Sequence, residues 1–337
     1  MKRTNPSLSI CIPTFNRPEK FRNLIQDILN QITDEIEIVI RDDSTDKKTK
    51  KIFQDSISNL DVNYQYHNGE RMGLDKANLF LLEKAKGEFI WWFSDDDRIL
   101  EGAFSRVLDL IKNHKNLNFI WANFANEVLT KLAVDREDGF FYSKDEILDR
   151  LGPNLGLLST YIIRRKIGIK GIKKAQKHIH GFSFASTSVV LFVGSEPGRS
   201  YFLRGPYVLN KPTTLENIKK DNVVDGEINN EAFKIFGIYY HDLISDFKGR
   251  FSNRSIKQML KVNYSSVWRG MIVGWLGGWD TPKGKKFLMA KYYWSFPEFW
   301  IAIVLLILPK YIVSFLFRIY KIFYSHRKFI FLERFKN

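Results

Sequence analysis

The sequence has only one cysteine, Cys11, among its 337 residues. A single cysteine excludes an internal disulfide, so the fold does not depend on the cross-links that stabilise small secreted domains. The sequence also lacks a secretory h-region of the usual length, because charged residues interrupt its first 20 positions (Lys2, Arg3, Arg17, Glu19 and Lys20). We therefore expect the N-terminal part to stay in the reducing compartment in which it is made.

Internal repeats and low-complexity segments are also lacking. With 45% hydrophobic and 26% charged residues, the composition excludes an intrinsically disordered chain. A chain of this length buries one large core and a smaller appendage without cross-links. We expect a large domain at residues 1–240 and a helical region at residues 241–337.

The net charge of +15 is concentrated near the C-terminus. Residues 248–337 contain 17 Lys and Arg against three acidic residues, whereas residues 1–247 contain 35 and 34. A basic segment of this kind suits nucleic acid or an anionic lipid surface. The large apolar residues between the basic ones favour lipid, because a duplex-binding face would leave them exposed. We therefore expect no nucleic acid partner.

Apolar residues in positions 8–124 alternate between the periods of strands and helices. Short apolar runs predict five strands, at Leu8–Ile12, Ile36–Ile40, Val62–His67, Phe89–Phe93 and Phe119–Phe124. Helical spacing predicts the helices between them, at Pro18–Gln31, Asp46–Ile57, Leu74–Lys86 and Ala103–Ile111. This alternation predicts an α/β fold with a mostly parallel sheet sandwiched by helices. The later apolar run Val189–Val193 predicts a further strand.

Three polar clusters follow predicted strands, at Thr14–Arg17, Asp42–Asp43 and Asp95–Asp97. In parallel sheets, ligands bind beyond the carboxyl ends of the strands. Because all three clusters follow such ends, we expect them to form one site.

Asp95, Asp96 and Asp97 are candidate metal ligands. Three adjacent carboxylates repel one another unless a cation is present. Oxygen ligands of this type bind Mg²⁺ or Mn²⁺, which bridge to phosphate oxygens and neutralise the charge on a departing nucleoside diphosphate. The alternative is a solvated acidic turn that caps the helix beginning near Leu100.

Four further residues are candidates for nucleotide binding. The Asp43 carboxylate, with Asp42 beside it, can accept hydrogen bonds from a base N–H or from ribose hydroxyls. Arg71 offers a fork of donors to a diphosphate, and Gly73 permits close backbone approach. The alternatives are a helix-capping turn after Asp42 and an ordinary surface loop around Arg71.

Three motifs occur in order: Ser9–Arg17 (SICIPTFNR), Ile38–Asp46 (IVIRDDSTD) and Gly87–Asp97 (GEFIWWFSDDD). Together they resemble the family 2 glycosyltransferases, which have the Rossmann-like GT-A fold. Residues 68–80, followed by Ser-Asp-Asp-Asp, resemble more narrowly the abequosyltransferase-type enzymes of O-antigen and capsule assembly.

The resemblance implies a nucleotide-binding half at residues 1–125 and an acceptor half at residues 126–240. It also implies an inverting sugar transfer and a divalent cation, Mn²⁺ or Mg²⁺, held by Asp95, Asp96 and Asp97. The nucleotide-binding residues it implies are Pro13, Thr14, Asn16, Asp42, Asp43, Arg71, Gly73, Asp95 and Asp96.

The acceptor half departs from the family pattern. Most members carry an acidic pair at the start of a helix there, and one of its carboxylates is the general base. The comparable stretch here, His178–Ser188 (HIHGFSFASTS), contains no acid. An inverting transfer needs a group that takes the proton of the acceptor hydroxyl. The candidates are His180, whose ordinary pKa suits neutral pH, and Glu196, after the predicted strand Val189–Val193. Alternatively, His180 is a polar loop residue.

The C-terminal region has the pattern of helices that lie on a membrane surface. As a helix, the ten apolar residues Phe299–Leu308 would extend ~15 Å, about half of a ~30 Å hydrocarbon core. Basic residues flank the run on both sides, and both flanks therefore favour the cytoplasmic side. Apolar residues recur with helical spacing over residues 312–323, beside Arg318 and Lys321, which is typical of an amphipathic helix on anionic lipid.

We therefore predict membrane-surface helices at about residues 296–326 and a peripheral, monotopic protein at the cytoplasmic face of the inner membrane. The alternatives are a single membrane span and helices packed on the protein's own core.

These observations together predict a metal-dependent glycosyltransferase of cell-surface polysaccharide synthesis. It would use a nucleotide-sugar donor and a glycan acceptor on a polyprenyl lipid. A sugar nucleotidyltransferase would share the fold, metal and nucleotide, but usually carries a Gly-rich basic loop after its first strand. A non-catalytic, membrane-bound nucleotide-binding protein is the third hypothesis, favoured by the missing acid.

Overall fold

The computed structural model describes residues 6–126, 131–210, 234–276 and 291–324. The chain divides into two compact units. The first comprises Met1–Lys211 with Gly249–Phe251, and the second comprises Pro212–Lys248 with Ser252–Asn337. This division lies earlier in the chain than the boundary at residue 240 that we expected from the sequence.

The first part of the first unit is built from strands that alternate with helices, as predicted. Its elements are β1 (Leu8–Thr14), α1 (Pro18–Leu29), β2 (Ile36–Asp42), α2 (Lys48–Ile57), β3 (Asn63–Asn68), α3 (Leu74–Lys84), β4 (Phe89–Trp92), β5 (Arg98–Ile99), α4 (Ala103–Asn113) and β6 (Leu117–Asn126). Helix α1 shows why the spacing is informative: Pro18 stands in its first turn, and Phe21, Leu24, Ile25 and Ile28 form its buried face.

The remaining elements of the first unit are more irregular. They are β7 (Gly139–Phe140), α5 (Lys144–Leu151), β8 (Tyr161–Arg164), α6 (Arg165–Ala175), α7 (Phe184–Ser195) and β9 (Arg199–Asn210). The prediction of a strand at Val189–Val193 was wrong, because these residues lie inside helix α7. Helix α7 is buried on nearly every side, so its sequence has no amphipathic period and cannot be distinguished from a buried strand by periodicity.

Within the described residues, nine strands form one mixed sheet, in the order β3-β2-β1-β4-β8-β6-β9-β5, with β7 paired to β9. Strands β3, β2, β1 and β4 are parallel. Strand β8 is antiparallel to both of its neighbours, and β9 is parallel to β6. Strands β1, β2, β4, β6 and β9 therefore all run in the same direction, and the predicted mostly parallel α/β sheet is confirmed.

The core of this unit lies on both faces of the sheet. Every residue of β1, β2 and β4 is buried. The largest fully buried side chains include Trp91, Trp92 and Trp121. Burial of a large apolar side chain contributes ~1.5–3 kcal/mol, so these central strands hold the sheet rigidly and fix the positions of the residues that follow them.

The second unit is helical in its described residues. After a short π-helical stretch at Lys234–Tyr239, it contains α8 (Tyr240–Ser245), α9 (Asn253–Leu276), α10 (Pro297–Ile307) and α11 (Lys310–Tyr324). The rings of Tyr264 and Tyr293 stack with centroids 4.3 Å apart, which packs helix α9 against the segment before α10. The predicted helical C-terminal region is thus present where the structure describes it.

Helices α10 and α11 each bury one side and expose an apolar side. Phe299, Ala302 and Leu306 of α10 are buried, as is Val313 of α11. The exposed apolar side chains of the two helices are Trp300, Ile301, Val304, Ile307, Tyr311, Phe315, Leu316 and Ile319. Among the described helices, none combines the length and the hydropathy that crossing a bilayer requires.

Candidate functional site

The three polar clusters lie together at the carboxyl edge of the sheet. Thr14 ends β1 and pairs in register with Asp42 at the end of β2. The Thr14 hydroxyl donates to Oδ2 of Asp95 over 2.8 Å, and the Asp43 N–H donates to the Thr14 carbonyl over 3.0 Å. Pro13 precedes Thr14 in the buried end of β1. Because parallel strands end at one edge, residues separated by 81 positions are in contact here.

The carboxylates of Asp95 and Asp97 in the predicted metal-binding triplet have different protein partners. Asp95 contacts Thr14, whereas Asp97 accepts hydrogen bonds from the Ser159 hydroxyl at 2.5 Å and from the Asn210 amide at 2.8 Å. Asp96 lies between them, with its side chain 20% exposed. Asp96 Oδ1 accepts from the Ser94 hydroxyl at 2.5 Å. Mutual repulsion between Asp95 and Asp96 is relieved by Arg17, which contacts both carboxylates.

Two of these carboxyls are buried strongly enough to alter their pKa values. Burial raises the pKa of Asp95 to about 6, although the Arg17 guanidinium opposes the shift. Burial, together with the charge of Asp96, raises the pKa of Asp97 to about 7. Both effects penalise the charged form of these two carboxyls.

Arg17 and Lys20 supply positive charge at this edge. Arg17 Nη1 lies 3.1 Å from Asp95 Oδ1 and 3.4 Å from Asp96 Oδ2. Lys20 Nζ lies 3.8 Å from the same Asp96 oxygen. Arg17 belongs to the predicted Thr14–Arg17 cluster, whereas Lys20 was not predicted to be part of the site. Their three-residue spacing at the start of α1 places both on one side of that helix.

Asp43 fixes the loop that contains Arg71 and Gly73. Its Oδ1 accepts from Arg41 Nε at 2.7 Å, and its Oδ2 accepts from the N–H groups of Met72 at 2.8 Å and Gly73 at 3.2 Å. Gly73 has φ of 80°, a left-handed conformation that favours glycine. The predicted positions of Asp43 and Gly73 are therefore adjacent in space.

Asp42 has a different set of partners, within the sheet. It accepts from the Tyr66 hydroxyl and from the Ser44 N–H, at 2.5 Å and 2.9 Å. It is fully buried, and these bonds support the end of the strand. Asp43 is the carboxylate of the pair that adjoins the loop.

Arg71 and Asn16 border the same region. The Arg71 guanidinium lies 4.1 Å from the centre of the Phe15 ring, a cation–π contact that places the Arg beside the end of β1. Asn16 has φ of 52°, and its side-chain oxygen accepts from the Thr45 N–H at 3.0 Å. This contact joins the loop after β1 to the loop after β2.

His180 lies in the loop between α6 and α7. Helix α6 follows β8, which runs opposite to the parallel strands, so α6 leads the chain back to the carboxyl edge. The loop therefore lies at the same edge as Asp43 and the triplet. Its backbone is held by Asp75, which accepts from the N–H groups of His180 at 2.8 Å, Gly181 at 2.6 Å and Ala185 at 2.9 Å. Sequence analysis missed Asp75, and its only signal was an acid in the first turn of α3.

The structure does not bring Glu196 to this edge. Glu196 follows α7 and precedes the start of β9, whereas Asn210, which contacts Asp97, ends β9. The twelve residues of β9 separate the two ends of that strand by roughly 36 Å at ~3.3 Å per residue. Glu196 instead pairs with Arg250 at 2.7 Å. Our placement of Glu196 near the acceptor rested on reading α7 as a strand.

The carboxylates at this edge fit a metal ion that takes its remaining ligands from the phosphate oxygens of a bound nucleotide and from water. Within the described ranges, no group of three His, Cys, Asp or Glu side chains is arranged to hold a metal by itself. Mg²⁺ in phosphate-binding sites commonly uses one or two carboxylates together with phosphate oxygens and water. Asp96, the only partly exposed member of the triplet, suits such a role.

Sequence comparison identifies relatives of the N-terminal half. Residues 9–166 match the family model described as Glycosyl transferase family 2. Over 104 residues, the chain is 33% identical to the GalNAc(5)-diNAcBac-PP-undecaprenol beta-1,3-glucosyltransferase of Campylobacter jejuni, covering 31% of this chain and 34% of that protein. Over 101 residues, it is 30% identical to abequosyltransferase RfbV of Salmonella typhimurium, covering 29% and 30%. Each match spans about a third of the relative's length.

The fold is also similar to a solved structure. The crystal structure of residues 1–349 of S. aureus TarS, in complex with UDP-GlcNAc, superposes with a TM-score of 0.53 at 18% identity. The match covers 75% of this chain and 70% of that one. The likeness concerns the fold, an α/β unit of GT-A type with a mixed, mostly parallel sheet. Residues 9–166, just under half of the chain, match the family model and form the strands that carry the three motifs, so this part of the chain is similar to glycosyl transferase family 2.

Proposed function

We propose that the protein is a glycosyltransferase that moves a sugar from a nucleotide-sugar donor to a glycan acceptor. The main observation in favour of this proposal is that Thr14, Asp43 and the 95–97 triplet lie together at the carboxyl edge of the sheet. Arg17 and Lys20 face the same edge, where an anionic diphosphate gains from positive charge. The family match over residues 9–166 and the names of the relatives support the same activity.

In this proposal, each strand end binds a different part of the donor. Asp43 and Asn16, which border the loops after β2 and β1, bind the base and ribose. Arg71 faces the base or the diphosphate. Arg17 and Lys20 stabilise the negative charge that grows on the diphosphate as it leaves, because fixed charges beside a leaving group favour the transition state.

We propose that Asp96 holds the divalent cation together with donor phosphate oxygens. When bound, Mg²⁺ or Mn²⁺ would neutralise part of the charge on the leaving diphosphate. Asp95 and Asp97, which are buried and bonded to protein groups, orient the turn that presents Asp96. The metal role proposed for the triplet thus rests mainly on one side chain.

Transfer with inversion is a direct displacement. The acceptor hydroxyl oxygen forms a bond to the anomeric carbon, the bond from that carbon to the diphosphate oxygen breaks, and the diphosphate leaves with the electron pair. The hydroxyl proton passes to a base, for which we propose His180, because its loop lies at the carboxyl edge and imidazole titrates near neutral pH. The names of the Campylobacter and Salmonella relatives favour a glycan acceptor on a polyprenyl lipid and a role in cell-surface polysaccharide synthesis.

We further propose that α10 and α11 attach the protein to an anionic membrane surface at the cytoplasmic face. Trp300, Val304 and Ile307 lie along one exposed side of α10, and Tyr311 and Phe315 along one side of α11. Exposed apolar stripes of this extent on neighbouring helices are typical of surfaces that enter the headgroup region. The basic residues around them would favour anionic lipids.

Transfer is tested with a panel of nucleotide sugars, with Mn²⁺, Mg²⁺ or EDTA, by measuring release of nucleoside diphosphate. Wild-type protein should release it only with metal, and Asp96→Ala should lose most activity. Asp55→Ala, which changes an exposed acid on α2, is the matched control and should retain activity. Full activity of Asp96→Ala would contradict the metal role. Pyrophosphate release from a nucleoside triphosphate would indicate the nucleotidyltransferase instead, and nucleotide binding without turnover would indicate a non-catalytic protein.

A further inference from the structure

Asp75 is a buried carboxylate whose partners are all backbone groups. It lies in the first turn of α3 and is 1% exposed. Its Oδ2 accepts from the N–H groups of His180 and Gly181, and its Oδ1 accepts from that of Ala185. A buried charge is costly unless hydrogen bonds compensate it, and these three bonds provide that compensation.

The loop that Asp75 holds has an unusual backbone. Gly181 has φ of 86° and Ser183 has φ of 61°, so a residue other than glycine adopts the left-handed region immediately before α7. The N–H of Ala185, in the first turn of α7, has no partner within its own helix. A carboxylate at this point satisfies that N–H and also favours the positive end of the helix dipole. The loop therefore depends on Asp75 for its conformation.

The segment that carries Asp75 also contacts the donor side of the site. Asp43 accepts the N–H groups of Met72 and Gly73, and Asp75 follows two residues after Gly73. One short segment is thus held at one end by the carboxylate proposed to bind the base. At its other end, it holds the loop proposed to face the acceptor.

From this arrangement we infer that Asp75 is a positioning residue for the acceptor, an inference that rests on the proposed transfer function. Asp75 acts through the His180–Ala185 backbone and does not contact the reacting atoms. Without it, the loop that carries His180 loses its fixed position, while the donor contacts of Thr14 and the triplet are unchanged. Displacement of a positioned group by about 1 Å lowers catalytic rates by as much as roughly 10²-fold.

The test is Asp75→Asn, compared with Glu37→Gln as a matched control. Glu37 is also a fully buried carboxylate that accepts backbone N–H groups, from Lys86 and Gly87, but at the opposite edge of the sheet. Both variants lose charge without changing shape, so a general loss of stability affects both. Each is assayed for nucleoside diphosphate affinity by calorimetry, and for kcat and acceptor KM at saturating donor.

We expect Asp75→Asn to reduce kcat/KM for the acceptor by about 10- to 100-fold. Its nucleotide affinity should remain within about twofold of wild type, because the donor contacts are retained. Amide hydrogen exchange should show faster exchange at His180, Gly181 and Ala185 in this variant only. Should Asp75→Asn not fold, Asp75→Glu retains the charge with one added methylene, and the same comparisons apply to it.

The outcomes separate the two proposals. Equal kinetics of Asp75→Asn and Glu37→Gln, in a protein whose wild type transfers sugar, would overturn the positioning role alone. An equal loss of nucleotide affinity and acceptor kinetics would also overturn it, because the effect would then reach the donor side. Absence of transfer by the wild type would overturn the proposed function, and the positioning role with it.

Discussion

Thr14→Val removes one hydroxyl from the site while keeping the shape of the side chain. The hydroxyl donates to Asp95 over 2.8 Å, and the two residues are 5% and 3% exposed. A hydrogen bond to a charged group is worth about 1.5–3 kcal/mol, and water cannot replace it at a buried position. We expect the free energy of unfolding to fall by about 2 kcal/mol, which corresponds to a loss of about 4–8 °C in Tm for a unit of this size.

The assay is urea unfolding followed by the fluorescence of Trp91 and Trp92. Both residues lie on β4, the strand that immediately precedes the turn carrying Asp95. Thr14→Ser is the control, because it retains the hydroxyl and loses only a methyl group, at a cost of ~0.8 kcal/mol. The reasoning is refuted if Thr14→Val is no less stable than Thr14→Ser, since the bond from β1 to the triplet would then contribute nothing.

Three further predictions test other parts of the structure. Asp96→Asn should lower the rate of sugar transfer by roughly 10²-fold while changing Tm little, because its side chain is partly exposed; a normal rate would contradict its role. Gly87→Ala should reduce the free energy of unfolding by about 1–3 kcal/mol in urea titrations, because a Cβ there would lie 2.5 Å from Ser9 Oγ. The double variant Val304→Glu/Phe315→Glu should lower binding to phosphatidylglycerol vesicles by about tenfold or more in co-sedimentation, and unchanged binding would exclude α10 and α11 as the attachment surface.

The fold of the first 125 residues was predictable because its information is local. Strands β1, β2 and β4 are short buried runs, and each polar cluster follows its strand directly, as with Asp43 after β2. The topology of α/β sheets then places those clusters at one edge without any further knowledge of the structure. Contacts between residues 81 positions apart, such as Thr14 and Asp95, could therefore be anticipated.

The directions of individual side chains were not predictable in the same way. Asp95, Asp96 and Asp97 are identical and adjacent in sequence, yet they have different surroundings. The partners that separate them come from distant segments, Thr14 for Asp95 and Ser159 and Asn210 for Asp97. A local pattern shows that carboxylates are present, but only the tertiary structure shows which partner each of them has and that Asp96 is the more exposed one.

The residues after position 125 show the same limit more strongly. The stretch His178–Ser188 contains no acid in its sequence, but the fold supplies one from 105 positions away, Asp75. This carboxylate cannot also serve as the general base. A base needs a lone pair that the acceptor hydroxyl can reach, whereas Asp75 accepts three N–H groups and is 1% exposed. Protonating it would weaken the bonds that order the loop. The proton must therefore pass to another group, and His180, whose backbone those bonds fix in place, is the candidate that the loop itself provides.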